Sequence, residues 1–435
     1  MKKKRCAVVG IGNRSHSWLS GILELHPDKC ELVGLCDLNI DRCRDVNVEY
    51  GSDAAVYDDY DLMLSELAPD LMIVTTPERY HREMIVKALD AGCHVAAEKP
   101  LCTTLDDARA ILEAETRNNR KIVMAFNYRH IPLNLKIKEL ITQGAIGTPV
   151  SMDLSWYLDY KGHGGSYFRR WHRLMKESGG LLITKACHHF DLANWWLGDI
   201  PEKVYADGAL NFFGSGKNPY QGERCSNCKH ADECEWYTDV CVVDRTDELS
   251  KELGYKVKSV RDYIRDYCPF GNEIDIYDTM ALNVRYKNGA ILNYSLNSSV
   301  PYEGWTMAIN GTKGRLETGI NDNKPSPGWQ QRHQICGPDG KLLKGNGYRI
   351  TDWPDHYSIH VMPHGGDDYE IKLPNIAEGH GGGDFKIFEA ALADIYPETD
   401  ELGVMTSAID GAYSTAVGAA ANISIKENRP VKIEF

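Results

Sequence analysis

Residues 6–15 read Cys6-Ala7-Val8-Val9-Gly10-Ile11-Gly12-Asn13-Arg14-Ser15, an apolar run that breaks into a glycine turn. A short run of this kind suits a strand buried on both faces, as in a parallel sheet. The turn has the spacing GxGxxS. Gly10 permits the tight bend and Gly12 lets a pyrophosphate approach the backbone, while Ser15 stands where a small residue packs helix against strand. Asn13 and Arg14 complete the loop. A second apolar run, Glu31 to Cys36, ends at Asp37, about where a carboxylate accepts hydrogen bonds from an adenosine ribose. Asp37 favours NAD over NADP, with Arg42 as the residue that would instead meet a 2′-phosphate.

Working outward, Leu71-Met72-Ile73-Val74 reads as another buried strand, closed by Thr75-Thr76-Pro77 with His81 behind it. A helix opening at Arg82-Glu83-Met84 runs to Ala91 and stops at Gly92. The next apolar run, Gly92 to Ala97, leads into Glu98-Lys99-Pro100, a lysine at a strand end, where open parallel sheets place their chemistry. Strand, turn and helix alternate from residue 5 to about 126, as a doubly wound α/β sheet requires.

At 435 residues the chain exceeds what one core usually serves, so two domains are expected. The net charge of -13, from 49 basic and 62 acidic residues, argues against a nucleic-acid or anionic-membrane surface and for a small-molecule partner. Met1 to Arg5 looks like the start of a signal peptide, but Asn13, Arg14 and His16 interrupt the apolar stretch behind it. No uncharged run approaches the roughly eighteen residues of a membrane span. A cytoplasmic protein is expected.

The series GxGxxS, Asp37, Thr75-Thr76-Pro77 with His81, Glu98-Lys99-Pro100 and Asn127-Tyr128-Arg129 resembles the Gfo/Idh/MocA oxidoreductase family. The resemblance extends to the hairpin Tyr286–Ala290, to Gly311-Thr312-Lys313-Gly314-Arg315, and to a C-terminal helix around Ala412 to Ile425. It implies a Rossmann domain over 1–126 and, over 127–435, an α/β domain with a large, mainly antiparallel sheet that often builds the oligomer interface. A homo-oligomer, dimer or tetramer, is the corresponding expectation. So is a cofactor site formed by Gly10, Gly12, Asn13, Arg14, Ser15, Asp37, Thr75, Thr76, Pro77, His81, Glu98, Lys99 and Asn127.

The implied chemistry is hydride transfer from a carbinol carbon to NAD, and the hydroxyl proton then needs an acceptor. Lys99 is expected to position the hydroxyl. The second group is sought in Ser178-Gly179-Gly180 through Thr184-Lys185-Ala186-Cys187-His188-His189-Phe190-Asp191. The family usually shows Asp, then His four residues later, then Asp three beyond; His188 and Asp191 match, but Thr184 replaces the first aspartate. His188 is the expected general base, since histidine exchanges protons near neutrality, with Lys185, Thr184 and Tyr128 as further catalytic candidates. His189 reads equally as a structural hydrogen-bonding residue or a substrate contact.

Substrate candidates are Arg129, Arg170, Trp171, Arg173, His189 and His380. Arg169, Arg170, Arg173 and Lys185 fall within seventeen residues of a negative chain, which reads as a solvated face or as a platform for a carboxylate, sulfonate or phosphate. Asp384 reads as a helix N-cap after the glycines at 381–383. The expected substrate is a sugar, sugar acid, cyclitol or glycoside. An NAD-recycling glycosidase is the alternative enzyme, and a non-catalytic dinucleotide sensor the third reading.

Five cysteines crowd a polar insertion at about 214–272. Cys225-Ser226-Asn227-Cys228 is half of a zinc knuckle, and Cys234 with Cys268, or with Cys241 as the alternative fourth ligand, would complete a structural thiolate site. With little apolar surface expected in the insertion, metal is the reading for what holds it. Disulfides compete.

Overall fold

The computed structural model describes residues 2–237, 265–320, 356–374, 383–394 and 399–435. They fall into two compact units. The first holds 2–131 together with the described residues of 383–416, and the second holds the rest. The first unit thus takes in chain from both sides of the second.

In the first unit, strands β1 (Lys4–Val9), β2 (Cys30–Cys36), β3 (Ala55–Tyr57), β4 (Leu71–Val74), β5 (His94–Ala97) and β6 (Ile122–Met124) form a parallel sheet in the order β3-β2-β1-β4-β5-β6. This is a Rossmann sheet. Its order reverses between β1 and β4, and ligands of such sheets bind at that crevice, beyond the strand ends. Gly10 follows β1 and Thr75 follows β4, so the two turns singled out by sequence flank the switch point.

One face is filled by Trp18, Leu19 and Ile22 together with Ile387, Phe388 and Leu392. The last three belong to the helix Gly383–Ala393, whose alanine-rich sequence brings few clashes to a tight approach. Gly383 itself lies so close to Asn127 that an added Cβ would stand 2.2 Å from its carbonyl oxygen. An isolated antiparallel bridge, Val123 with Ser407, joins the returning chain to the sheet.

His130 ends the 3-10 turn Asn127–His130. Burial, reinforced by Arg129 and Lys386 and opposed by Asp400 and Glu389, pushes its imidazole down to about 4. The unfolded residue titrates near 6.5. Between these values the unfolded chain binds a proton that the folded chain does not, so stability declines as pH falls through the window and levels off below it. Between pH 7 and 4.5, His130→Gln should lose about 2 kcal/mol less than the parent protein in urea denaturation. Equal losses would place the acid sensitivity elsewhere.

The second unit contains β7 (Pro149–Asp159), β8 (Pro201–Ala209), β9 (Thr279–Tyr286), β10 (Ile291–Val300), β11 (Gly304–Gly311), β12 (Gly314–Ile320), β13 (His356–Pro363), β14 (Tyr369–Pro374) and β15 (Val431–Lys432). Among the described residues they run in the order β14-β13-β12-β11-β7-β10-β9-β8-β15. Among these described strands only the β7–β10 pairing is parallel. The expected large, mainly antiparallel sheet is therefore present. Alternation along β9, buried at Met280, Leu282, Val284 and Tyr286, presents one face to the interior. The hairpin expected at Tyr286–Ala290 joins β9 to β10, and Gly311–Arg315 joins β11 to β12.

The insertion departs from its reading as a segment poor in apolar contacts. Trp236 and Phe270 are buried there and Phe213 at its edge, with Phe213 stacked on Phe168 at 4.0 Å and Trp236 edge-on to Phe270 at 5.2 Å. These few large rings supply a small aromatic core that composition alone conceals.

Candidate functional site

The glycine turn is built by contacts to its neighbours. Gly10 has φ +87°, and an added Cβ would meet the Thr76 backbone nitrogen at 2.6 Å, so no side chain fits. Gly12 is the opposite case: a Cβ there would find no atom within 4 Å, which leaves room for a ligand to approach the backbone. Thr75 donates its hydroxyl to the Gly10 carbonyl at 2.6 Å, and Ser15 donates to that of Gly12 at 2.7 Å. Asp37 accepts from the Ile11 amide at 2.7 Å and from the Asn39 amide at 2.9 Å. Arg42 stands 3.7 Å from the same carboxylate. His81 is buried between the Thr76 and Pro100 carbonyl oxygens, at 2.8 and 2.7 Å, and so ties the turn after β4 to the segment after β5.

Glu98 is directed inward rather than toward solvent. One of its oxygens accepts from Arg14 Nε at 2.6 Å and from Trp18 Nε1 at 2.9 Å. The Arg14 guanidinium also forks onto Asp384, at 2.7 and 3.2 Å, and Asn127 donates to Asp384 at 2.7 Å. Burial alone would lower the Arg14 pKa, but Glu98 and Asp384 outweigh it and raise that pKa, keeping the guanidinium charged. Asp384 lies in the first turn of its helix and spends its carboxylate on this network, not as the N-cap expected from sequence. Lys99, half-buried, leaves β5 between the anchored Glu98 and the cis-bonded Pro100.

These residues fit a dinucleotide. Besides the space at Gly12, the buried atoms Asn13 Oδ1, Thr76 Oγ1 and Asn127 Oδ1 lack a partner among the described residues. All three belong to the set expected to hold the cofactor, and buried polar atoms of this kind call for a ligand or water. Tyr128 is half-buried in the same unit. Arg129 is buried, with its guanidinium on Asp410 at 2.8 Å and on the Gly403 carbonyl at 2.8 Å.

In the second unit, Gly179 and Gly180 have φ +70° and +73° and turn the chain into the short helix Leu181–Thr184, followed by the helix Cys187–Leu197. Thr184, Lys185, His188, His189 and Asp191 are all buried. The His189 ring stacks on Trp156 at 3.6 Å and its Nδ1 lies 2.7 Å from the Tyr294 hydroxyl. Lys185 Nζ stands 5.6 Å from the Trp156 ring centroid.

Sequence reasoning missed the acidic partner of this region. Glu303 lies 2.8 Å from His163 Nδ1, whose other nitrogen is 3.1 Å from the Tyr167 hydroxyl. Burial would raise the Glu303 carboxyl, but His163 and Lys185 hold it below the usual range. The pair spans 140 residues of sequence, so no local motif announces it.

The cationic run is dispersed among protein partners. Arg169 donates to the Trp236 carbonyl at 2.6 Å and to Cys225 Sγ at 3.5 Å. Arg173 pairs with Glu273 at 2.7 Å and covers the Tyr267 ring at 3.5 Å. Arg170 donates to Ser166 and lies over Tyr167, while Trp171 stacks on His172 at 4.4 Å. His380 lies outside the described residues.

Cys225, Cys228, Cys234 and Cys268 line one cavity. Cys241 lies outside the described residues. Among the described residues, no three His, Cys, Asp or Glu side chains are arranged as a ready metal-ligand set. Nor, among them, is any helix long and apolar enough to cross a membrane.

A Rossmann sheet with this turn defines a dinucleotide-binding domain. The family described as "Oxidoreductase family, NAD-binding Rossmann fold" matches residues 4–126, and its C-terminal α/β domain matches 138–433. The chain belongs to the Gfo/Idh/MocA oxidoreductase family. It is 36% identical to the protein YteT of Bacillus subtilis (strain 168) over 98% of this chain and 97% of YteT. D-glucoside 3-dehydrogenase of Escherichia coli (strain K12) is 31% identical, over 33% of this chain and 40% of that protein. The crystal structure of the WlbA dehydrogenase from Bordetella pertussis, in complex with NADH and UDP-GlcNAcA, shares the fold with a TM-score of 0.63 at 18% identity, covering 100% of both chains.

Proposed function

We propose that the chain oxidises a ring hydroxyl of a carbohydrate, a sugar, sugar acid, cyclitol or glycoside, with NAD as acceptor. The observation that carries this reading is the anchoring of Glu98 by Arg14 and Trp18, which fixes the strand end from which Lys99 projects. The dehydrogenases of glucosides and inositols among the relatives support the substrate class. NAD, when bound, would supply the acceptor for the hydride of the carbinol carbon. Lys99 holds the hydroxyl and stabilises its alkoxide character, and His188 takes the proton. The cofactor is held by the glycine turn, Asp37 and the Thr75-Thr76-Pro77 turn.

The concentration of cations no longer requires an anionic substrate, because Arg169, Arg173 and Lys185 each meet protein groups. A neutral sugar should therefore be accepted at least as well as its uronide. The decisive experiment incubates the protein with NAD, free sugars and aryl glycosides, following NADH absorbance and aglycone release together. NADH without aglycone supports the proposal. Aglycone without net NADH would replace it with glycoside cleavage, and neither signal would remove enzymatic activity.

Asp37 governs cofactor choice in this reading, since its carboxylate repels a 2′-phosphate. NAD should bind more tightly than NADP by calorimetry, and Asp37→Ala should narrow the gap. Equal affinities in the parent protein would assign the pocket to Arg42.

A further inference from the structure

We propose that Cys225, Cys228, Cys234 and Cys268 bind one structural zinc ion as four thiolates, supported from outside by the guanidinium of Arg169. The site is separate from the dinucleotide chemistry and stands whether or not that reading does.

The backbone brings the ligands together from two stretches of chain. Cys225 donates its amide to the Asp266 carbonyl at 2.8 Å, Cys268 donates to that of Glu223 at 2.9 Å, and Arg224 and Tyr267 form an antiparallel bridge between them. Cys225 begins a 3-10 turn, closed by the Cys228 amide on the Cys225 carbonyl at 3.1 Å, which is the sharp reversal a Cys-x2-Cys pair needs to offer both sulfurs to one ion. Cys234 closes a turn on His230. All four side chains line the same cavity, walled by Trp236 and Tyr220.

Arg169 is the independent observation. It is buried, and it donates an N–H to Cys225 Sγ at 3.5 Å while its other terminal nitrogen is fixed by the Trp236 carbonyl. A buried guanidinium aimed at a neutral thiol gains little, whereas one aimed at a thiolate makes a charge-assisted hydrogen bond. Four thiolates around Zn²⁺ carry two excess negative charges, which Arg169 partly offsets. The thiols as placed do not form a ready ligand set. Neutral S–H groups have no attraction that would gather them; zinc displaces four protons to solvent and draws the sulfurs to about 2.3 Å. With four thiolates the coordination shell is closed, so the ion stabilises the insertion and, through Arg169, the segment carrying Tyr167 and Arg170.

Metal content of the full chain, purified without added metal, tests this by plasma emission. About one zinc per chain is expected, falling to near none in Cys228→Ser. Should that variant fail to fold, cobalt exchanged into the parent protein reads the ligands directly, through the visible bands and sulfur-to-cobalt charge transfer of a tetrahedral thiolate site. Arg169→Met should keep the zinc but release it to a chelator about ten-fold faster. Metal-free protein with all four thiols alkylated in the native state, mass-detected disulfides among them, or iron with acid-labile sulfide would each overturn the zinc site. Unchanged zinc release from Arg169→Met would overturn the role of Arg169.

Discussion

Lys99→Ala and His188→Ala are each expected to lower kcat/KM by about 10²-fold or more while leaving NAD affinity nearly intact. The expectation follows from where these residues act. In the proposed reading, binding of the dinucleotide rests on backbone and on polar atoms of the glycine turn, Asp37 and Thr76, whereas the lysine and histidine are assigned to the substrate hydroxyl and its proton. Single-turnover kinetics with saturating NAD, paired with calorimetry, separate the two effects. A His188→Ala enzyme with near-parental turnover would transfer the base role to Thr184, Lys185 or Tyr128. A Lys99→Ala protein that lost NAD binding as well as turnover would make the lysine part of the cofactor site.

Arg14→Met should produce the largest change in stability. It leaves the carboxylates of Glu98 and Asp384, with side chains 8% and 17% exposed, without their shared counterion. Removing one member of a buried pair costs about 3–5 kcal/mol, and the partial exposure of Arg14 places the expectation near 3. NAD affinity should fall about ten-fold or more, since the loop proposed to meet the pyrophosphate loses its hold on Glu98. Asp384→Asn is the informative companion: it retains an oxygen for Arg14 and should cost less on both counts. If Arg14→Met matched the parent in urea midpoint and in NAD binding, the network would be a surface ornament.

What could be read in the sequence was local. Val9, Cys36 and Val74 end strands because each closes a short apolar run before a glycine, an acid or a proline-containing turn, and the strands end at those residues. Glu98-Lys99-Pro100 was visible as a motif, but the partner that fixes it was not. Arg14 and Asp384 are 370 residues apart, and Asp384 looked like a cap because glycines precede a helix there. The same holds for His163 with Glu303 and for Phe213, Trp236 and Phe270, whose spacing follows no helical or strand period. Sequence periodicity reports which face of an element is apolar; it carries no information about which distant charge or ring will meet it.

The attachment of Asp384, Phe388 and Leu392 to the cofactor unit also sets a timetable. At about 5–20 residues per second of synthesis, the glycine turn leaves the ribosome roughly twenty to seventy seconds before the carboxylate that clasps Arg14. Throughout that interval the emerging sheet carries Trp18 and Leu19 without the helix that covers them, an adhesive surface of the kind chaperones attend. Until that carboxylate emerges Arg14 has only Glu98 to hold it, and a transcript truncated after the parallel sheet would encode the glycine turn without the second anchor of its arginine.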